Sequence, residues 1–203
     1  MNSIRSVCVY CGSSPGERPL YAEAGAHLGR SLARAGLRLV YGGGTKGIMG
    51  AVANGAIQAG GKVTGIIPRF LIDKEATETA LQKLDELVVT ENMHERKHAM
   101  FERSDAFVAL PGGIGTLEEI IEIMTWGQLG HHRKPIVFAN LEGFWNPMLA
   151  LLDHMRDEGF IHTGHRVQPL VVDDPGGIVP AIMVAASVTA EPSDGVPGVI
   201  EKM

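Results

Sequence analysis

A doubly wound, Rossmann-like α/β architecture, with a parallel sheet covered by helices on both faces, follows from three features of the 203-residue sequence. Apolar, β-branched runs alternate with amphipathic segments, the pattern of parallel strands joined by crossover helices. Several runs are apolar almost throughout, as strands buried on both faces must be. Glycine-rich segments stand directly after three of them, where the carboxyl ends of such strands meet ligands.

The first strand is expected at Ile4–Cys11 and runs into Gly12-Ser13-Ser14. A helix over Leu20–Ala35 leads to a second strand at Leu37–Tyr41. Gly42-Gly43-Gly44-Thr45-Lys46-Gly47-Ile48-Met49-Gly50 then opens a helix over Gly47–Ala59. Strands follow at Lys62–Ile67 and Glu86–Thr90, and a helix at Met93–Arg103. The fifth strand, Ala106–Leu110, passes through Pro111–Thr116 into a helix over Leu117–Leu129. Ile136–Asn140, a helix over Pro147–Glu158, and Val167–Val172 complete the pattern. Pro175-Gly176-Gly177-Ile178 echoes Pro111–Ile114 but lacks the following Gly-Thr, and reads as a helix-entry turn. One domain is expected over residues 1–186; residues 187–203 lose periodicity and read as a mobile tail.

Composition narrows the class. Hydrophobic residues form 45% of the chain and charged residues 20%, the reverse of a disordered segment. The formal net charge of -5 leaves no basic footprint for a nucleic-acid polymer. No run has the length of a membrane span. The first residues lack the apolar stretch and cleavage site of a signal peptide, so the cytoplasm is the expected compartment. Cys8 and Cys11 stand as C-x-x-C, open to a redox or zinc reading. On a strand, however, residues three apart face opposite ways, and no second pair completes a tetrahedral site; two buried small residues are expected instead. His131-His132 and His162-x-x-His165 lack carboxylate or Cys partners nearby, so no metal is expected.

Gly is in surplus, 26 residues against an average of about 7%, and the surplus gathers in the three loops. Gly42-x-Gly44-x-x-Gly47 fits the dinucleotide fingerprint, after a strand and before a helix. The ribose-binding acid expected about twenty residues on is missing from Lys62–Arg69, and no Gly-Lys-Ser/Thr makes it a Walker loop. It is either a loop that approaches a ligand or a tight turn. Pro111–Thr116 is more specific: free N–H groups at a helix start favour a phosphate or carboxylate. The competing explanation is a capping box, Thr116-x-x-Glu119, which does not call for three glycines in four positions. Arg96 and Lys97, adjacent on the next helix, would point different ways, toward the cleft or into solvent.

Pro111-Gly112-Gly113-Ile114-Gly115-Thr116-Leu117-Glu118-Glu119 matches P-G-G-x-G-T-x-x-E, and Met93-His94-Glu95-Arg96-Lys97 matches M-H-x-R-K. With Cys11–Ser14, Tyr41–Gly50, Ile67–Leu71, Thr125–Gly130 and Gly159–Ile161, these residues resemble the LONELY GUY family from about Ile4 to Ile182. Its members are cytokinin riboside 5'-monophosphate phosphoribohydrolases, often mislabelled lysine decarboxylases. The resemblance implies a Rossmann-like homodimer that cleaves an adenosine 5'-monophosphate, preferably N6-prenylated, into free base and ribose 5-phosphate without a cofactor. It makes Arg96 and Glu119 the catalytic pair. It makes Glu75, Lys97, Gly113, Ile114, Gly115, Thr116, Leu117, Glu118 and Thr125 substrate-binding positions. Position 114 is Ile where many members carry Tyr.

On that resemblance, the loop Gly112–Thr116 is expected to hold the 5'-phosphate and an apolar wall including Met93 to receive the base. Gly12, Ser13, Gly43, Gly44, Gly47, Met49 and Gly50 are expected among the substrate contacts. Glu119 would stabilise positive charge on the ribose or activate water, and Arg96 would hold it ionised. The rival readings are a non-catalytic nucleotide carrier or sensor, a nicotinamide-dependent oxidoreductase and a lysine decarboxylase.

Overall fold

The computed structural model describes residues 4–161 and 168–189. Seven strands form one parallel sheet: β1 (Ser6–Tyr10), β2 (Arg38–Tyr41), β3 (Val63–Pro68), β4 (Glu86–Thr90), β5 (Ala106–Ala109), β6 (Ile136–Ala139) and β7 (Leu170–Val172), in the order β4-β3-β2-β1-β5-β6-β7. Strand order reverses between β1 and β5, which pair in register from Val7–Ala106 to Tyr10–Ala109. The crevice at such a reversal is where open α/β sheets bind ligands.

Alternation along β1 divides the core. Val7 and Val9 join Leu39 and Tyr41 on one face, under α1 (Pro19–Arg34), α2 (Gly47–Gln58) and α8 (Ile178–Thr189). Cys8 and Tyr10 join Val40 and Phe107 on the other. That face is covered by α5 (Met93–Glu102), α6 (Ile114–Gln128) and α7 (Asn146–Asp157) through Met100 and Phe101, Ile120 and Ile123, and Met148 and Leu149 respectively. Cys11, just past the strand, falls in the first layer, so the two free, buried thiols face apart as expected. α1 and α2 meet backbone to backbone: a Cβ on Gly29 would lie 2.1 Å from the Val52 carbonyl oxygen, and one on Gly55 2.3 Å from that of Ala26.

Two short helices, α3 (Ile72–Glu75) and α4 (Glu78–Leu81), fill the β3–β4 connection. Four residues are too few for a helical period to show in sequence. α8 had no amphipathic signal because IVPAIMVAASVT has no polar face. It includes residues 187–189, which the sequence placed in a tail; residues 190–203, the rest of that tail, lie outside the described residues. So do His162, His165 and Val167. Among the described residues, no helix is long and apolar enough to cross a membrane.

Candidate functional site

The loops after β1, β2 and β5 meet at the carboxyl edge of the sheet, where the Gly12 N–H donates to the Pro111 carbonyl (3.1 Å). From there α6 begins at Ile114, three residues before the amphipathic pattern starts, with Gly113 as a cap that supplies no side-chain bond. Leu117 N–H bonds back to Gly113 (3.0 Å). The N–H groups of Ile114, Gly115 and Thr116 precede that first helical bond and lie at the positive end of the helix dipole. A Cβ on Gly113 or on Gly115 would meet nothing within 4 Å. The Gly113 backbone, at φ -94°, suits any residue. Neither packing nor conformation demands these two glycines, and their absent side chains leave the helix end open to an anion. The capping box does not form. Thr116 lies buried inside the helix, its hydroxyl 2.1 Å from where a Gly112 Cβ would stand, and Glu119 turns toward Arg96.

The Gly42–Gly50 loop differs. The N–H groups of Ile48 and Met49, at the start of α2, donate to the Gly12 carbonyl (3.1 and 3.2 Å). Two of the first N–H groups of α2 are thus already bonded within the protein. Gly47 has φ +57°, and a Cβ on it would lie 2.4 Å from the Ser13 carbonyl oxygen. Gly12, Gly43, Gly44 and Gly50 are likewise hemmed in by Ser14, Ile67, Met49 and Thr45 respectively, Met49 itself being buried. Close packing within the protein is by itself a sufficient reason for these glycines. Ser13 is exposed at the rim.

α5 begins on a firm cap: Asn92 Oδ1 accepts from the Glu95 N–H (2.9 Å), and the Glu95 carboxylate accepts from the Glu91 N–H (3.0 Å). One turn in, Arg96 is 5% exposed, not solvated. Its Nη2 donates to the Gly42 carbonyl (3.3 Å) and stands 3.9 Å from Glu119 Oε1. A Cβ on Gly42 would lie 2.0 Å from Nη2, so a side chain there would displace the guanidinium from this position. Half-buried Met93 places its Sδ 3.8 Å from Arg96 Nη1. The end of α3 closes the site's far side, where the Glu75 carbonyl accepts from the Thr45 N–H (2.9 Å). Arg96 Nε and Glu75 Oε2 are buried without a hydrogen-bond partner. A free donor and a free acceptor in one site suit a polyhydroxylated ligand.

Burial of the Glu119 carboxyl raises its pKa from 4.5 to about 7; the Arg96 cation opposes this, Glu118 and Glu75 add to the rise, and Lys97 opposes it. The expectation that Arg96 holds Glu119 ionised is therefore corrected: at 3.9 Å it offsets desolvation only in part. The bed beneath is Cys8, Tyr10 and Cys11, whose own pKa values burial pushes up.

Other predicted site residues fall elsewhere. Lys97 Nζ contacts Glu118 Oε1 (2.5 Å) and Glu122 Oε1 (3.1 Å). Leu117 and Thr125 lie on the outer face of α6, along an apolar groove of about 790 Å³ against α7. Thr125 is six residues past Glu119, about 240° around the helix, and does not reach the Arg96–Glu119 pair within one chain. Ile114 is 87% exposed at the mouth. The His132 ring is structural: its Nδ1 accepts from the Lys134 N–H (3.1 Å), leaving Nε2 to donate to the Ile123 carbonyl (2.8 Å). Sequence reasoning missed the Gly42 carbonyl and Glu122. Only the four-residue spacing of Glu118 and Glu122 on one helix face could have signalled the latter.

A family model described as "possible lysine decarboxylase" matches residues 49–182. The chain is 47% identical over 162 residues to a cytokinin riboside 5'-monophosphate phosphoribohydrolase of Arabidopsis thaliana, covering 80% of this chain and 70% of the relative. It is 44% identical over 178 residues to a protein of the same description from Rhodococcoides fascians, covering 88% and 89%. Among solved structures, a structural-genomics target superposes with TM-score 0.68 at 26% identity, covering 88% of this chain and 98% of that one. The molybdenum cofactor carrier protein of Chlamydomonas reinhardtii gives TM-score 0.68 at 21% identity, over 92% and 99%, a likeness of fold alone.

Proposed function

The chain belongs to the family of cytokinin riboside 5'-monophosphate phosphoribohydrolases, and from that membership we propose that it hydrolyses the N-glycosidic bond of adenosine 5'-monophosphates, N6-prenylated forms included. The products are the free base and ribose 5-phosphate. One observation carries the reading: the buried Arg96–Glu119 pair stands beside a helix start opened by Gly113 and Gly115. The 5'-phosphate takes the N–H groups of Ile114, Gly115 and Thr116. Arg96 Nε serves a ribose hydroxyl, and Met93 walls the base. As the glycosidic bond lengthens, positive charge grows on the ribose ring. Ionised Glu119 faces that charge and takes a proton from the water, whose oxygen bonds the anomeric carbon as the bond to the base breaks; the base departs with the bonding electron pair and takes up that proton to become the free base, a relay for which a pKa of about 7 is well matched. The phosphate, far from the breaking bond, fixes the sugar in place.

The rivals fit less well. A dinucleotide site would need the α2 N-terminus, whose first N–H groups Gly12 already occupies. A decarboxylase would need a lysine free to form a Schiff base. Lys97 is held protonated by two carboxylates, and Lys46 and Lys74 are exposed. Purified protein incubated with AMP and with isopentenyl-AMP should release free base, separated by chromatography, and Arg96→Ala should release at least ~10²-fold less. Binding of both nucleotides with no base released would make the protein a carrier instead.

The reading extends to a homodimer joined through the α6–α7 face, supported by the apolar groove there and by exposed Leu151 and Met155. It extends also to a cytoplasmic setting, which suits two unpaired thiols.

A further inference from the structure

Two residues of the loop between β2 and α2 reach different sides of the site. Gly42 offers its carbonyl to Arg96 Nη2 of α5 (3.3 Å). Thr45 gives its N–H (2.9 Å) and its hydroxyl (3.3 Å) to the carbonyl of Glu75, the last residue of α3. Both partners carry a buried, unpaired polar atom, Arg96 Nε and Glu75 Oε2. Neither is firmly held from elsewhere. Arg96 stands 3.9 Å from Glu119, beyond a hydrogen bond. α3 has four residues, too few to hold a helix unaided, and its last carbonyl has no partner within the helix. The loop itself is wedged in place. A Cβ on Gly43, at φ +75°, would lie 3.0 Å from the Ile67 Cβ, and one on Gly44 3.0 Å from Met49 Sδ. Gly42 is not among the glycines of positive φ. Its Cβ would meet Arg96 Nη2 at 2.0 Å and Cζ at 3.2 Å, and Met49 Sδ at 3.3 Å. The side chain is missing where the guanidinium lies, not where the backbone turns.

We propose that this loop organises the site, the Gly42 carbonyl setting the guanidinium of Arg96 and Thr45 setting Glu75, so that Gly42 and Thr45 are positioning residues for hydrolysis. This rests on the phosphoribohydrolase reading. The two groups so placed flank Glu119 with opposite effects, Arg96 favouring its charged form and Glu75 its proton. The other groups that bear on Glu119 are Lys97 from α5, Glu118 on its own helix, and Cys8, Tyr10 and Cys11 beneath it. Displacing Arg96 or Glu75 changes the balance and moves the titration of Glu119 even with no nucleotide bound. A residue that acts through another also loses its effect once that other is removed.

The test makes Gly42→Ala in the wild type and in Arg96→Ala, and Thr45→Val in the wild type and in Glu75→Gln, with Thr45→Ser beside them. The readouts are kcat/KM for AMP, the melting temperature and, without nucleotide, the 13C NMR titration of the Glu119 carboxyl. Gly42→Ala should lower kcat/KM about tenfold or more and lower the melting temperature in the wild type. In Arg96→Ala, where the guanidinium is gone, it should cost neither. Thr45→Val should lower kcat/KM about two- to tenfold, the scale of one hydrogen bond, and add nothing in Glu75→Gln; Thr45→Ser should keep wild-type activity. The Glu119 midpoint should move in Gly42→Ala and in Thr45→Val and stay in Thr45→Ser. Costs that persist undiminished in the Arg96→Ala and Glu75→Gln backgrounds, or an unmoved midpoint, would show that the loop acts on its own account and overturn the proposal. If Gly42→Ala does not fold, the Thr45 cycle decides alone. A wild type that releases no base but shows the moved midpoints and the coupled melting temperatures would defeat the function and keep the organising loop.

Discussion

Glu119 sits where two forces meet: loss of water around its carboxyl, which favours the proton, and the Arg96 cation, which favours the charge. Desolvation wins, and the pKa of about 7 makes two consequences measurable. For the proposed hydrolysis, the base form is needed. Activity as kcat/KM should therefore rise with pH through about 7 in the free enzyme, and Glu119→Gln should remove that limb and cost at least ~10²-fold in turnover. A pH–rate profile with no ionisation in that range would contradict the role. In stability, the sign is opposite to that of a salt-bridged acid. Because the folded pKa lies above the ordinary 4.5, the native state binds more protons between 4.5 and about 7. The contribution is complete below 4.5 and is lost as pH rises through 7, a span worth roughly 3 kcal/mol. Denaturant titrations at pH 5 and pH 8 should show the wild type losing stability relative to Glu119→Gln across that window. Both catalytic candidates were legible in sequence through their motifs. Their burial was not, because it depends on which face of α5 meets which face of α6, and the protonation of Glu119 follows from that burial.

At the scale of elements, the three glycine loops look alike in sequence and differ in use. All follow strands and open helices. Yet the start of α2 is capped by the Gly12 carbonyl, whereas the start of α6 receives nothing from the protein's side chains. That distinction is tertiary, since Gly12 reaches α2 only because β1 lies beside β2 in the sheet. A pair of substitutions separates the two roles. Gly113→Ala has open space and an ordinary backbone, so thermal stability should stay within about 0.5 kcal/mol while KM for AMP rises. Gly47→Ala meets a positive φ and a carbonyl 2.4 Å away, and should lose 1–3 kcal/mol or more, on the order typical of such strain. Calorimetry and steady-state kinetics on both proteins check this; equal losses of stability would mean that the α6 glycines are structural too. The strands were legible to within about two residues at most ends because runs buried on both faces declare themselves. α3 and α4 were too short to show a period, and α8 too uniformly apolar.

The whole molecule covers one sheet face with α1, α2 and α8 and the other with α5, α6 and α7, but the second layer is unfinished. Leu117, Ile121 and Met124 of α6 and Leu151, Leu152 and Met155 of α7 line a groove of about 790 Å³. Leu151 is 45% exposed and Met155 38%. α6 is the helix that carries Glu119 inward, so this groove backs directly onto the site. Thr125, which family resemblance places at the substrate, stands on this outer side and can serve a nucleotide only if a second copy brings its own site against it. A symmetric dimer through this face accounts for both facts, since a two-fold interface presents the same patch from each partner. Charges on the stripe should then split the dimer: Leu151→Asp with Met155→Asp should sediment as a monomer where the wild type has twice the chain mass. Both substitutions replace partly exposed side chains, so the fold should persist by circular dichroism. If the site borrows from its partner, activity should fall in step with dissociation and recover as protein concentration is raised. A wild type that remains monomeric at tens of micromolar, or a double variant that dimerises undiminished, would show that this face has another use.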